Sequence, residues 1–506
     1  MIAIFQFDAV GLPFLQEHIA EGRLPTVAKL GELGSWHTLT TPATFFEGAA
    51  AHSLYTGKDI GEHGLYYPFQ WSAAEQRVRY TRDFPMPEAI WERIARAGRR
   101  SLIIDPYESS PPQSIAGLCL SGWQFTNRIV LRRWSVPHWA HRKLARRFGR
   151  PKSADEVYGR PSASELLRLY RSVLAGPDRA ADVAIDLLAR ETFDLVWVTF
   201  SSSHLAGHRF FDLSKLPDVG FDIHQREKFA TALTEVCAAV DRALGRILAA
   251  LPPDADVIVL SPWGMTSNYS RSPLLPGMLD AVLSNGHATT ALSSRSVARS
   301  PLWRVRDSVP TNIRAGIARL LPDRLAIELT ARMELRGVDW TRTPAFMLPN
   351  DDSGYVRLNL RGRERDGIVA PAEAEALMDK IAAGLFTFRD PDGRPSVQSV
   401  DRTPNLVGRG VGFHQLPDLV ISWTDRVPRL PTGVNSPLYG DVTAVGSGTG
   451  RTGGHTGDAW ALILPKKSRI RMPTRKPHVI DIAATVCSLL AVDAERLAGE
   501  PLLEPL

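Results

Sequence analysis

The stretch AADVAIDLLARETFDLVWVTFSSSHLAGH, Ala180 to His208, decides the fold. It opens with apolar residues at helical spacing, passes into the apolar, β-branched run FDLVWVTF and stops in a serine-rich turn. A helix feeding a continuous apolar strand is the repeating unit of a parallel sheet covered on both faces. The same unit recurs outward in both directions. Upstream, MIAIFQFD predicts a strand, LPTVAKLGEL a helix and RSLIID a strand; downstream, ALTEVCAAVDRALGRILAAL predicts a helix and DVIVLS a strand. This β-α-β rhythm predicts an α/β protein with a mostly parallel central sheet and helices on both faces.

From residue 266 to 410 the rhythm gives way to Pro-, Ser- and Arg-rich segments and the amphipathic NIRAGIARLLPDRLAIEL. It returns with PDLVISW, AWALILP and VIDIAATVCSLLAV. The expected organisation is therefore a first core part over 1–265, an inserted cap region over 266–410 and a C-terminal core part over 411–506.

The chain has 506 residues, 44% of them apolar and 23% charged, which suits a globular protein with a sizeable core. Cys119, Cys237 and Cys487 lie far apart and offer neither a disulfide framework nor a zinc knuckle. No segment reaches the about 18 apolar residues of a membrane span, and the N-terminus lacks the marks of a signal peptide. A cytoplasmic location is expected. The net charge of +6 is concentrated in Asn127 to Lys152, a block that attracts anions but carries no nucleic-acid motif.

Ligands of such sheets bind beyond the carboxyl ends of the strands, so the polar residues there carry the chemistry. Asp8 ends the first strand. Thr44 and Glu47 precede a helix, whose N-terminus favours an anion. His204 and His208, four apart, share one face of a helical turn and could hold one metal ion. His455 sits in a glycine-rich loop before a late strand. These residues point to a metal site assembled from several strand ends.

The segments FQFDAVGLPFL, SLYTGKDIGEHGLY, VDWTRTPAF, GYVRLNLRGRERDGIV, GGHTGDAWALIL and VIDIAATVCSLLAV, in this order, resemble the alkaline phosphatase superfamily, in its type I phosphodiesterase and nucleotide pyrophosphatase branch. The resemblance implies an alkaline-phosphatase-like fold, a phosphate-ester substrate and two divalent metals, generally zinc, flanking a Thr, Ser or modified Cys nucleophile. It places Asp8 at the opening metal-binding Asp, Glu47 at the nucleophile position, His204 where a metal-binding Asp is usual, and His208 and His455 at retained ligands. The S-D-H-G turn that completes the second metal site has become Ser261-Pro262-Trp263-Gly264.

That departure leaves Asp8 as the one side-chain ligand of the second site, whereas His204, His208 and His455 form a set that suits zinc, with iron or manganese as other candidates. Glu47 is then a fourth ligand or a general base, and Thr44, three residues earlier, is the chemically better nucleophile. Trp263 either walls off the vacated pocket or stacks on a substrate. The expected function is a metal-dependent hydrolase of a phosphate ester or related small anion, using one metal ion and metal-activated water. Two alternatives stand beside it: a recruited single-metal enzyme doing non-phosphoryl chemistry (another hydrolysis, a lyase or an oxygen-dependent reaction), and a non-catalytic binding relative.

Overall fold

A computed structural model of the chain describes residues 1–506 except 157, 158, 160, 217–220, 285–321, 336, 337, 426–431, 445–447 and 472. The central sheet contains β1 (Ile2–Phe7), β2 (Ser35–Leu39), β3 (Ser101–Ile104), β4 (Gly117–Ser121), β5 (Trp134–Val136), β6 (Leu195–Phe200), β7 (Asp256–Ser261) and β8 (Ala459–Leu464). Their spatial order is β2-β8-β7-β1-β6-β3-β4-β5. The five middle strands, β7 to β4, run parallel, and β8 and β5 join them antiparallel.

Every residue of β1, β6 and β7 is buried, because these strands are covered on both faces. Alternation along each strand divides its side chains between two cores. Phe5, Phe7, Val196, Val198, Val257 and Val259 pack under α2 (Ala163–Leu188), α3 (Ser202–Phe210) and α4 (Ile223–Leu248). Ile4, Trp197, Ile258 and Leu260 pack on the opposite face with α1 (Ala50–Thr56) and α5 (Asp481–Leu490). Both 26-residue helices start at a capping box, Ser162 with Glu165 and Asp222 with Gln225, so the strand-to-helix connections are fixed locally. No helix among the described residues is long and apolar enough to cross a membrane.

A second sheet of four antiparallel strands is built from Ala345–Leu348, Gly354–Leu358, Leu419–Trp423 and Val397–Arg402, in that spatial order. Helices Leu275–Leu283 and Ala374–Leu385 cover it through Leu275, Met278, Ile381 and Leu385. One strand departs from the sequence reading: PDLVISW, placed with the core after residue 410, supplies Leu419–Trp423 to this second sheet. Five apolar residues in a row fit the middle of either sheet, and periodicity cannot choose between them. The segment NIRAGIARLLPDRLAIEL lies outside the described residues up to 321; its remainder starts the helix Asp323–Met333.

Glu364, whose side chain is fully buried, ties the second sheet to the separate two-stranded hairpin of Phe69–Ser72 and Arg77–Tyr80. Its carboxylate accepts from Trp71 Nε1 at 2.7 Å, Arg357 Nε at 2.7 Å and Arg363 Nε at 2.8 Å. Arg357 also donates to the carbonyls of Leu416 and His414. Glu364→Ala would strand a buried guanidinium, at a cost of about 3–5 kcal/mol. Urea unfolding should show that loss as a shift of midpoint, and Arg357→Met in the same chain should recover part of it.

Candidate metal centre

The carboxyl ends of the parallel strands meet at one edge of the sheet, and β1, β6 and β7 lead into a single site. Beyond β1, Asp8 is fully buried, Ser203 Oγ donates to its carbonyl at 2.7 Å, and Ala9 follows with φ at +58°. Beyond β6, α3 begins at once and presents His204 and His208 from one buried face. Beyond β7, the turn Ser261-Pro262-Trp263 leads into the strand Gly264–Ser267, which pairs with Gly453–Thr456 and sets Met265 opposite His455. That ribbon brings the late histidine beside the turn.

The Nε2 atom of His204 lies 2.9 Å from Nε2 of His208 and 2.9 Å from Nε2 of His455. One donor atom from each of the three histidines lies within 4.8 Å of the others, and this group contains histidines alone. Each ring turns its other nitrogen to an oxygen: His204 Nδ1 to Asp8 Oδ2 at 3.2 Å, His208 Nδ1 to the Gly453 carbonyl at 3.3 Å, and His455 Nδ1 to Asp352 Oδ2 at 2.7 Å. Carboxylates and carbonyls only accept, so Nδ1 carries the proton of each neutral ring and the three Nε2 atoms face one another with lone pairs. Between neutral rings that contact is repulsive, and a metal cation, or a proton taken up by His455, relieves it; oxygen partners at Nδ1 are the usual support of metal-bound histidines. The residues present thus fit one divalent metal. Asp8 faces the Nδ1 side of His204, away from the shared Nε2 point.

Burial holds His208 well below its ordinary imidazole value, and burial also lowers His204. His455 differs: burial opposes its charge, but Asp352 outweighs that and raises it. Asp352 accepts from both the backbone N–H and Nδ1 of His455. It comes from the loop between Ala345–Leu348 and Gly354–Leu358, so the second sheet reaches into the site.

Glu47 is buried in the short turn Glu47–Ala49 ahead of α1. Tyr355 of the same second-sheet hairpin donates to its Oε2 at 3.0 Å, while Oε1 is buried with no hydrogen-bond partner among the described residues. Burial, and then the charge of Asp352, push its carboxyl up to about 7. Thr44 is exposed, its hydroxyl donates to the Thr41 carbonyl at 3.2 Å, and it packs on Gly457, two residues past His455.

Trp263 is 2% exposed and stands edge-on to His204, centroids 5.9 Å apart, and to His455 at 6.3 Å. Tyr107 completes the wall, stacked on His204 at 4.7 Å. Its neighbour Glu108 has φ at +53° and is pushed up to about 8 by burial, then by Asp8. Asp352, Tyr355, Tyr107 and Glu108 were not singled out in the sequence. Tyr107 and Glu108 follow RSLIID, and the same strand-end rule that found Asp8 points to them. Asp352 carried no such signal, since an Asp-Asp-Ser run between two strands is ordinary turn composition.

The family model described as type I phosphodiesterase / nucleotide pyrophosphatase matches residues 2–426. The chain belongs to this family. It is accordingly a metal-dependent hydrolase of the phosphoryl-transfer kind. Phosphonoacetate hydrolase from Sinorhizobium meliloti 1021 shares its fold. In complex with phosphonoformate that structure is 13% identical, covers 97% of this chain and 95% of its own, and has a TM-score of 0.51. In complex with phosphonoacetate it is 14% identical with the same coverage and TM-score. Murine ectonucleotide pyrophosphatase / phosphodiesterase 5 is 11% identical over 99% of this chain and 97% of its own, with a TM-score of 0.49. No curated protein matches the chain.

Asp352→Asn should weaken metal binding about 10–100-fold, the usual loss when such an oxygen partner is removed. Chelator competition measures it. A proton competes with the metal at His455, whose value is raised, so affinity is present above that value and lost as pH falls through it. Asp352→Asn removes the charge that raises His455 and should move this acid-side loss to lower pH.

Proposed function

We propose that this hydrolase cleaves a phosphate ester or related small anionic ester with one divalent metal, zinc first, held by His204, His208 and His455. The observation that carries the reading is the set of three converging lone pairs with every Nδ1 engaged, beside a turn where Pro262 and Trp263 offer no ligand. When bound, the ion supplies Lewis acidity, lowering the pKa of coordinated water and drawing charge from the scissile group.

Glu47 is the general base. Tyr355 holds Oε2, which leaves Oε1 to take the proton from the attacking water. A direct attack of this kind needs no covalent enzyme intermediate, which a glutamate nucleophile would make as a labile anhydride. Asp8 and Asp352 orient His204 and His455, and Trp263 with Tyr107 walls one side of His204. Three free, buried cysteines fit a cytoplasmic enzyme.

Elemental analysis of the purified chain should find close to one transition-metal ion, and two would overturn the single-metal reading. Chromogenic phosphate mono- and diesters, with phosphonoacetate beside them, form the substrate panel. Hydrolysis should vanish in His208→Ala and fall about 10²–10⁴-fold in Glu47→Gln, the range for a lost general base. Thr44→Ala should stay active; loss there would move the nucleophile to Thr44. Because the base must be deprotonated, the wild-type rate should rise with pH through about 7 and Glu47→Gln should flatten that limb.

A further inference from the structure

The basic block Asn127 to Lys152 takes no part in the site above, and the fold gives it a shape. It lines two adjoining cavities that share Arg133. One, of 640 Å³, also takes in Arg132 from the block and Arg168 from α2. The other, of 580 Å³, is lined by Arg142, Arg146 and Arg150 with two histidines, and no carboxylate borders it. Volumes of this size suit a small-molecule ligand.

Arginines elsewhere on this surface find acids: Arg77 pairs with Glu75 at 2.8 Å, Arg246 with Asp178 at 3.1 Å and Arg402 with Asp379 at 2.6 Å. Even within the block, Arg128 pairs with Asp323 at 3.1 Å and Arg147 with Asp186 at 2.6 Å. Arg132, Arg133, Arg142, Arg146, Arg150 and Arg168 have no carboxylate within 4.0 Å among the described residues. The acids that do border the larger cavity are committed, Glu165 to the cap of α2, and Asp155 and Asp323 to Arg128. Arg82 registers the unbalanced field: burial, and then Arg132 and Arg324 beside it, hold its guanidinium below the ordinary value.

We propose that these paired cavities form a binding site, separate from the metal centre, for a small ligand carrying two or more phosphate groups. Six unpaired guanidiniums exceed what one phosphate neutralises, and the shared Arg133 lets one ligand span both concavities. Guanidiniums bind phosphate through paired, charge-assisted hydrogen bonds. The inference does not depend on the single-metal reading.

Calorimetric titration with sodium tripolyphosphate, at low salt, tests it in the full chain carrying His208→Ala, so that the histidine site neither binds nor consumes the probe. The expected result is saturable binding that weakens as salt rises. Adding Arg133→Ala or Arg168→Ala should weaken it at least about tenfold, the loss of one charge-assisted contact. Both side chains are exposed, and circular dichroism checks that the variants stay folded. Binding unchanged in both arginine variants, or absent in their parent, overturns the proposal. So does a chain that ignores tripolyphosphate yet sediments with phosphatidylglycerol vesicles or retains a single-stranded oligonucleotide, since the block would then serve a macromolecular surface.

Discussion

Three imidazole rings whose Nε2 atoms converge, two of the contacts at 2.9 Å, are the constraint on which the site depends. Each ring alone would turn its Nε2 to water. Here Asp8, the Gly453 carbonyl and Asp352 fix the opposite nitrogens, and burial removes the water that would screen the repulsion. The fold meets this cost with the rigidity of its middle strands. β1 and β6 pair in register from Ile2 with Leu195 to Phe7 with Phe200, so Asp8 and the start of α3 stand side by side without a loop to flex.

The turn that carries Pro262 and Trp263 packs directly on the histidines. Trp263 is nearly fully buried, lies in aromatic contact with Tyr107, His204 and His455, and leaves its Nε1 unpartnered. An edge-on indole next to two imidazoles stiffens the rings it touches. The same ring lowers the local dielectric, which strengthens the pull of Asp8 and Asp352 on their histidines. A large aromatic residue at this position therefore reinforces the histidine cluster it packs against.

Much of the molecule was legible in the sequence because two periodicities carry it. Continuous apolar runs marked β1, β6 and β7, and the four-residue spacing of His204 and His208 put both on one face of α3. The legible part of the site is the part built on strand ends. What stayed hidden depends on distance in space rather than on local pattern: Leu419–Trp423 has the composition of a core strand but pairs with Gly354–Leu358, and Asp352 reads as turn chemistry until the hairpin is seen against His455.

The hidden residues also show why the inserted region is more than a cover. Asp352 orients His455, and Tyr355 holds one oxygen of Glu47, and both stand on the same hairpin of the second sheet. The first part of the chain supplies His204, His208 and Glu47, the last part His455, and the hairpin fixes how His455 and Glu47 point. Glu364, Arg357 and Trp71 lock the second sheet to the hairpin of Phe69–Ser72 and Arg77–Tyr80 through buried, charge-assisted bonds. Their removal would cost stability, and it would also loosen the hairpin on which the site geometry rests. Docking of this hairpin is thus a condition of the site's geometry, because Asp352 must stay against the ribbon that carries His455.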